Sequence, residues 1–435
     1  MIERDKRVGV DAATARPPIP RRRVLWLSHL LPWPPKGGLM QRSYYLMREV
    51  ARHHDLHVVA LRQRAHQPDA ARLEEARAAI AEFATLSHVS DLPEEDLAGG
   101  RARLALESLL PGRPFTVRWA LSATYGAAVR AAVEEFEPDV VHFDTISLAP
   151  YLDEIRDQPA VLNHHNIESA MLLRRAALER HPLKRAYFWQ EGLRLARYER
   201  SVARRFRRHL VCAELDAERL VATVGPVAST VVPNGVDLDF FRPAPPGTLP
   251  DPGSMIFVGG LGWYPNLSAM RFFVNEVWPL LTRRRPEVEF RLVGQGPPPD
   301  LQAAATRDPR IRVMGFVDDV HPLFDRSMVY VCPIFDGGGT KLKMLDAMAM
   351  GKAIVAHPVA CEGLNVTDGE QVLHAVEPEE FVDQILRVMD DPELREGLER
   401  SGRDHVVRGF SFKSIGERLS QLYVDVVDAG LKSRG

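Results

Sequence analysis

Short apolar runs alternate with helical patterns along nearly the whole 435-residue chain, in two series divided by a stretch rich in proline and glycine. In the first series Arg23–His29, Leu56–Leu61, Asp139–Phe143, Ala160–Asn163, His209–Cys212 and Ser229–Val232 read as strands. In the second, Met255–Val258, Val288–Val293, Ile311–Met314, Met328–Cys332 and Ala353–Val355 do so. Residues 68–135 read as mostly helical, as do 267–283, 340–350 and most of 378–405. Strands that alternate with helices build parallel sheets covered on both faces, so the expected class is α/β with two doubly wound domains facing each other. The boundaries follow: a disordered leader over 1–20, a first domain over 21–237, a linker over 238–254 and a second domain over 255–408. The closing segment, 409–435, contains an amphipathic helix over 412–427 that is expected to cross back to the first domain. Ligands of such sheets bind beyond the carboxyl ends of the strands. The glycine loops at 37–38, 259–262 and 337–339 all fall there, which points to one cleft between the domains.

Residues 331–357, V-C-P-I-F-D-G-G-G-T-K-L-K-M-L-D-A-M-A-M-G-K-A-I-V-A-H, hold strand, glycine loop, helix and strand in one run. Thr340 reads as the helix N-cap and Gly351 as its stop signal. A helix opened by glycines presents unpaired N–H groups and a positive dipole end with no side chain in the way. Lys341 and Lys343 add positive charge where the dipole alone favours an acid, a conflict that a bound phosphate would remove. The bland alternative is a turn with two solvated lysines. No Ser or Thr directly follows either lysine, which excludes a P-loop, and the first βαβ unit lacks G-x-G-x-x-G.

A net charge of −2 gives no reason to expect nucleic acid, and the three cysteines lie too far apart for a metal cluster. The amino terminus lacks the apolar core of a signal peptide, and no run approaches the roughly 18 apolar residues of a spanning helix. A cytoplasmic protein, or one peripheral at the inner face of the plasma membrane, is expected. Residues 167–208 are strongly basic, with Tyr187, Phe188 and Trp189 in their midst. They read either as a solvated helical face or as a contact for an anionic membrane surface.

Four ordered runs carry a family resemblance: V-V-P-N-G-V-D-L-D-F-F-R-P (231–243), L-V-G-Q-G-P (292–297), G-F-V-D-D-V (315–320) and G-G-G-T-K-L-K-M-L-D-A-M-A-M-G-K (337–352). Together they resemble the retaining, family 4 glycosyltransferases of GT-B fold, over about residues 23–425. F-V-G-G-L-G-W-Y-P-N and G-G-G-T-K-L-K further resemble the exopolysaccharide-biosynthesis sugar transferases associated with PEP-CTERM/exosortase systems. The resemblance implies that the second domain binds a UDP- or GDP-linked sugar and the first a glycan or lipid-linked glycan acceptor. It places Gly338, Gly339, Thr340, Lys341, Leu342 and Lys343 on the diphosphate and Asp346 on the ribose. It also places Phe316 and Val317 at the base, Gly260 in the donor site, Gly37 and Gly38 over the diphosphate, and His165 beside the donor sugar.

Two departures stand out. The first of the family's paired glutamates is Gly338 here, so the donor sugar is left undefined. The Arg and Lys that usually follow the F-V-G strand are also absent, and Lys341 and Lys343 stand as substitutes for that charge. The expected reaction is a metal-independent hexosyl transfer with retention, with His165 and Lys341 as the catalytic side chains and no cofactor. His142 and His164 are the rivals of His165. Asp237 and Asp239 read as part of a turn and not as metal ligands. The alternative class is a catalytically silent GT-B protein that binds a nucleotide sugar as a sensor or partner subunit.

Overall fold

The computed structural model describes residues 18–35, 38–92, 112–337 and 340–432. The leader over residues 1–17 therefore lies outside the described residues. The first sheet comprises β1 (Arg23–Ser28), β2 (Asp55–Arg62), β3 (Thr85–Asp91), β4 (Val140–Phe143), β5 (Ala160–Asn163), β6 (Arg208–Val211) and β7 (Ser229–Val231). Its order is β3-β2-β1-β4-β5-β6-β7, with each neighbouring pair parallel. The second comprises β8 (Ser254–Val258), β9 (Glu289–Val293), β10 (Ile311–Gly315), β11 (Val329–Cys332), β12 (Ala353–Ala356) and β13 (Leu373–His374). It repeats the pattern as β10-β9-β8-β11-β12-β13, again all parallel. The expected pair of doubly wound domains is what the chain forms.

The central strands are buried on both faces, which is why they read as continuous apolar runs without alternation. In each sheet the winding direction reverses between two adjacent strands, β1 and β4 in the first and β8 and β11 in the second. Loops leaving the carboxyl ends of such strands part to opposite faces and open a crevice.

Two corrections concern strands. Residues 68–135 are not simply helical, because β3 pairs along β2 within them. T-L-S-H-V-S-D is a half-exposed edge strand with no apolar run, so nothing in its pattern competes with the alanine-rich helix before it. β13 is two residues long and is made a strand only by pairing with β12. The segment read as a linker, 238–254, is anchored to the second domain. Phe241 is buried in the second core, Arg403 donates to its carbonyl at 3.0 Å, and Ser254 already belongs to β8.

The terminal helix, Phe412–Lys432, packs on the first sheet. Phe412, Ile415, Leu419, Tyr423 and Val426 share a core with Trp26, Tyr45, Val50 and Val140. Phe412 stacks on Tyr45 with ring centroids 4.9 Å apart, and the Tyr423 hydroxyl lies 2.7 Å from Nδ1 of His142. Where this helix crosses the opening helix, Gly38–Ala51, Gly416 lets the backbones approach. A Cβ on it would stand 2.2 Å from the Glu49 Cβ. Gly416→Ala is therefore expected to destabilise the protein by about 1–3 kcal/mol through overpacking. Helix propensity alone would give a gain of up to about 1 kcal/mol. Urea unfolding of the two proteins decides between the signs.

Candidate active site

On the first-domain side the site grows from three strand ends: His29 after β1, Asp144 after β4, and Asn163 and His165 at the end of β5. Asp144 is fully buried and is the hub. It accepts from Ser43 Oγ at 2.8 Å and Asn163 Nδ2 at 3.0 Å, and its Oδ1 lies 3.2 Å from His165 Nε2. His29 Nδ1 and His142 Nε2 stand further off, at 3.6 and 3.8 Å. Burial alone would raise this carboxyl. The His165 charge and the neighbouring imidazoles of His142, His165 and His29 outweigh it and hold Asp144 well below the usual carboxylate range. Burial lowers the imidazole of His165, against the opposing pull of Asp144.

The rival histidines are committed elsewhere. His142 is stacked on Trp26 at 3.6 Å and bonded to Tyr423, and His164 Nε2 meets His209 Nδ1 at 2.9 Å inside the core. Of the three, only His165 keeps an exposed edge.

His29, Asp144 and His165 bring three ligand atoms within 4.8 Å of one another, the spacing of a metal site. The donor set fits one poorly. The Asp144 oxygens already accept from Ser43 and Asn163, and the Arg42 cation bears on His165. Asp237 is likewise occupied, capping the N–H groups of Asp239 and Phe240.

On the second-domain side, the loop after β11 leads into the helix Leu342–Ala349. Here Thr340 is not the N-cap. The capping position is Lys341, without a side-chain cap, while Thr340 Oγ1 is buried without a partner and its carbonyl accepts from Asn234 at 3.2 Å. Nor are the lysines solvated. Lys341 Nζ donates to the Gly337 carbonyl at 3.3 Å, and burial pushes its ammonium down to about 8. Lys343 donates to Asn266 Oδ1 and sits 5.3 Å from the centre of the Phe257 ring, and burial lowers its ammonium too. Asn266 in turn donates to the Gly260 carbonyl at 2.7 Å, so Lys343 delivers its charge to the loop after β8.

Asp346 is reached by Gln41 from the other domain, and its Oδ1 is buried without a partner. Phe316 and Val317 follow β10, the former 55% exposed. Gly38 faces the site, since a Cβ on it would touch Leu342 at 3.0 Å. Gly37, Gly338 and Gly339 lie outside the described residues.

Sequence reading missed the residues that join the two halves. Arg42, only 1% exposed, donates to Asn163 Oδ1, Asn234 Oδ1 and the carbonyls of Val232 and Pro233 at 2.9–3.0 Å. Arg174, in the basic tract, donates to the Gly337 carbonyl at 3.2 Å and pairs with Asp336 and Glu362. Arg175 lies over both Phe188 and Tyr264. Part of the tract is therefore a clasp on the second domain. The P-N-G-V-D run was the one available signal, because Asn234 is its asparagine.

Two family models match this chain: one described as Glycosyltransferase Family 4 over residues 36–240, the other as Glycosyl transferases group 1 over residues 252–391. With the two sheets described above, the chain belongs to the family 4 glycosyltransferases of GT-B fold. Among curated relatives, a phosphatidyl-myo-inositol mannosyltransferase of Mycobacterium tuberculosis is 27% identical over 211 residues, 46% of this chain and 55% of that protein. The UDP-Gal:alpha-D-GlcNAc-diphosphoundecaprenol alpha-1,3-galactosyltransferase of Escherichia coli is 26% identical over 221 residues, 47% of this chain and 56% of that one. These matches thus span about half the length of each relative. In fold, the chain is similar to sucrose-phosphate synthase from Thermosynechococcus elongatus, with a TM-score of 0.70 and 16% identity over 94% of this chain and 100% of that one. Anabaena HepE in complex with UDP gives 0.65 and 15%, over 93% and 100%.

Burial pushes the Asp346 carboxyl up to about 8, against the Gln41 hydrogen bond and the Lys343 charge. In the unfolded chain the group titrates near 3.9, so the folded state holds an extra proton between the two values. This group's stabilisation is full at acid pH and falls by up to about 1.4 kcal/mol per pH unit until the pH passes its folded value. Asp346→Asn is expected to remove that slope, gaining on wild type as pH rises from about 5 to 8 in urea titrations. A difference independent of pH would mean that the acid is already ionised.

Proposed function

We propose that the chain transfers a sugar from a UDP- or GDP-linked donor to a hydroxyl of a glycan or lipid-linked glycan, with the anomeric configuration retained. The observation that carries this reading is the facing of two half-sites. Lys341, Lys343 and the unpartnered Oδ1 of Asp346 stand at one strand end, and His165, fixed by Asp144, at another. The first group suits a nucleoside diphosphate. A diphosphate restores full charge to a buried ammonium, and a ribose hydroxyl supplies the donor that Asp346 lacks. The relatives' names support the donor and acceptor classes: the Anabaena structure holds UDP, and the Escherichia coli enzyme acts on a diphosphoundecaprenol-linked sugar.

In the step proposed, the bond from the anomeric carbon to the diphosphate oxygen breaks as the acceptor oxygen attacks from the same face. The acceptor proton passes to the departing diphosphate oxygen, so no carboxylate nucleophile and no metal enters. His165 orients the donor sugar, and Lys341 stabilises the charge that develops on the leaving group. The setting we infer is cell-surface polysaccharide synthesis of the exosortase-associated type, at the inner face of the plasma membrane.

Nucleotide screening by thermal shift fixes the donor class, and release of nucleoside diphosphate from the matching sugar donor tests the reaction. No release, even by slow hydrolysis, would leave a nucleotide-sugar binding protein. Lys341→Ala is expected to lower kcat by roughly 10²–10³ while weakening free diphosphate binding less. Asp346→Ala is expected to act chiefly on KM, because ribose contacts are shared by ground and transition states. If Lys341→Ala stays within about twofold of wild-type kcat, the lysine only binds.

The acceptor's membrane is met, in this reading, by the turn of the hairpin formed by Glu168–Leu178 and Pro182–Val202. Leu178, Leu183 and Trp189 are 56, 76 and 57% exposed there, among the exposed Arg180, Lys184 and Arg185. Binding to anionic vesicles is expected to fall steeply with salt. Each basic residue at such a surface is worth about 1 kcal/mol, so Lys184→Glu with Arg185→Glu should cost more than tenfold in partitioning. Equal binding to neutral vesicles would leave only a solvated face.

A further inference from the structure

Glu362 stands between cations drawn from both domains. It follows the short turn Pro358–Cys361 beyond β12. The next residue, Gly363, has φ +79° and packs so tightly that a Cβ there would meet Ala213 Cβ and Thr340 Oγ1 at 2.8 Å. That backbone fixes the carboxylate at the domain boundary. Its Oε2 lies 3.3 Å from Arg219 and 3.7 Å from Arg174, and it is the charge that most supports the ammonium of Lys341. Arg174 and Lys341 both donate to the Gly337 carbonyl, so these cations converge on one place at the glycine loop.

Three acids answer these three cations, and they are not equivalent. Asp336, beside Arg174, and Asp216, beside Arg219, have side chains only 8 and 4% exposed. The Glu362 side chain is 21% exposed and is the one shared by both arginines. Its contacts are longer than the 2.7–2.9 Å or so of a well-formed charge-assisted hydrogen bond. A phosphate group, with more acceptor oxygens, would satisfy the same donors better.

We propose that Glu362 is an internal stand-in for an anionic ligand. It holds Arg174, Arg219 and Lys341 together in the free protein, and a diphosphate group displaces it. That the diphosphate belongs to a nucleotide sugar rests on the reading above, whereas the anion chemistry does not. The displaced carboxylate opposes binding, so Glu362 sets how tightly the donor is held.

Calorimetric titration of the full chain with inorganic pyrophosphate, UDP and GDP tests this. Glu362→Gln is expected to bind pyrophosphate and the cognate nucleotide about tenfold more tightly than wild type, with the gain shrinking at high salt. Glu362→Asp withdraws the carboxylate by one methylene at unchanged charge. It is expected to fall between the two, and it serves where the amide variant is unstable. Neither variant tightening pyrophosphate binding, or no binding of pyrophosphate to any of the three proteins, overturns the proposal. If the variants tighten pyrophosphate while UDP and GDP bind none of them, the anion site stands and the nucleotide-sugar reading falls. If UDP or GDP binds wild type and no variant tightens it, the donor reading stands and Glu362 is only a structural ion pair.

Discussion

A guanidinium taken out of water must find a partner for nearly every N–H it carries, and Arg42 finds four oxygens. Two belong to asparagine side chains, and this gives the residue its reach. Asn163 accepts from Arg42 through Oδ1 and donates through Nδ2 to Asp144, which holds His165. Asn234 accepts from Arg42 in the same way and donates to the Thr340 carbonyl, next to Lys341. The charge on one side decides which end of each amide is oxygen and which is nitrogen. Both halves of the proposed site are thus referred, through one amide each, to a single buried cation on the opening helix.

Much of the fold is legible in the sequence because strands buried on both faces can hardly be written otherwise than as apolar runs. β1, β4, β5, β11 and β12 announce themselves that way. β3 does not, being an edge strand whose conformation comes from its neighbour and not from its own pattern. The glycine loop and its lysines are legible as a phosphate-binding device, but their surroundings are not. That Lys343 reaches Asn266, 77 residues away in sequence, depends on β8 and β11 being adjacent in the sheet. Asp144 is harder still. A single aspartate after V-V-H-F has no local signature, and it becomes a hub only when four segments meet around it. The basic tract misleads for a related reason, since composition cannot say which arginines stay exposed and which, like Arg174, grip the other domain.

The charges at this boundary are held away from their ordinary states. Lys341 is depressed by burial to about 8 and Asp346 raised by burial to about 8, and the Oδ1 of Asp346 is buried without a partner. Such tension costs stability locally, and the large apolar cores on either side supply the margin that tolerates it.

The terminal helix has a consequence for how the molecule comes into being. Phe412, Ile415, Leu419, Tyr423 and Val426 close a core whose other wall is Trp26, Tyr45 and Val50. Translation delivers the second of those walls only after the whole of the second sheet. The amino-terminal half must therefore wait on the ribosome with an apolar seam uncovered, while the second sheet, contiguous from Ser254 to His374, can already assemble. Of the two domains, the one made earlier is the later to be finished.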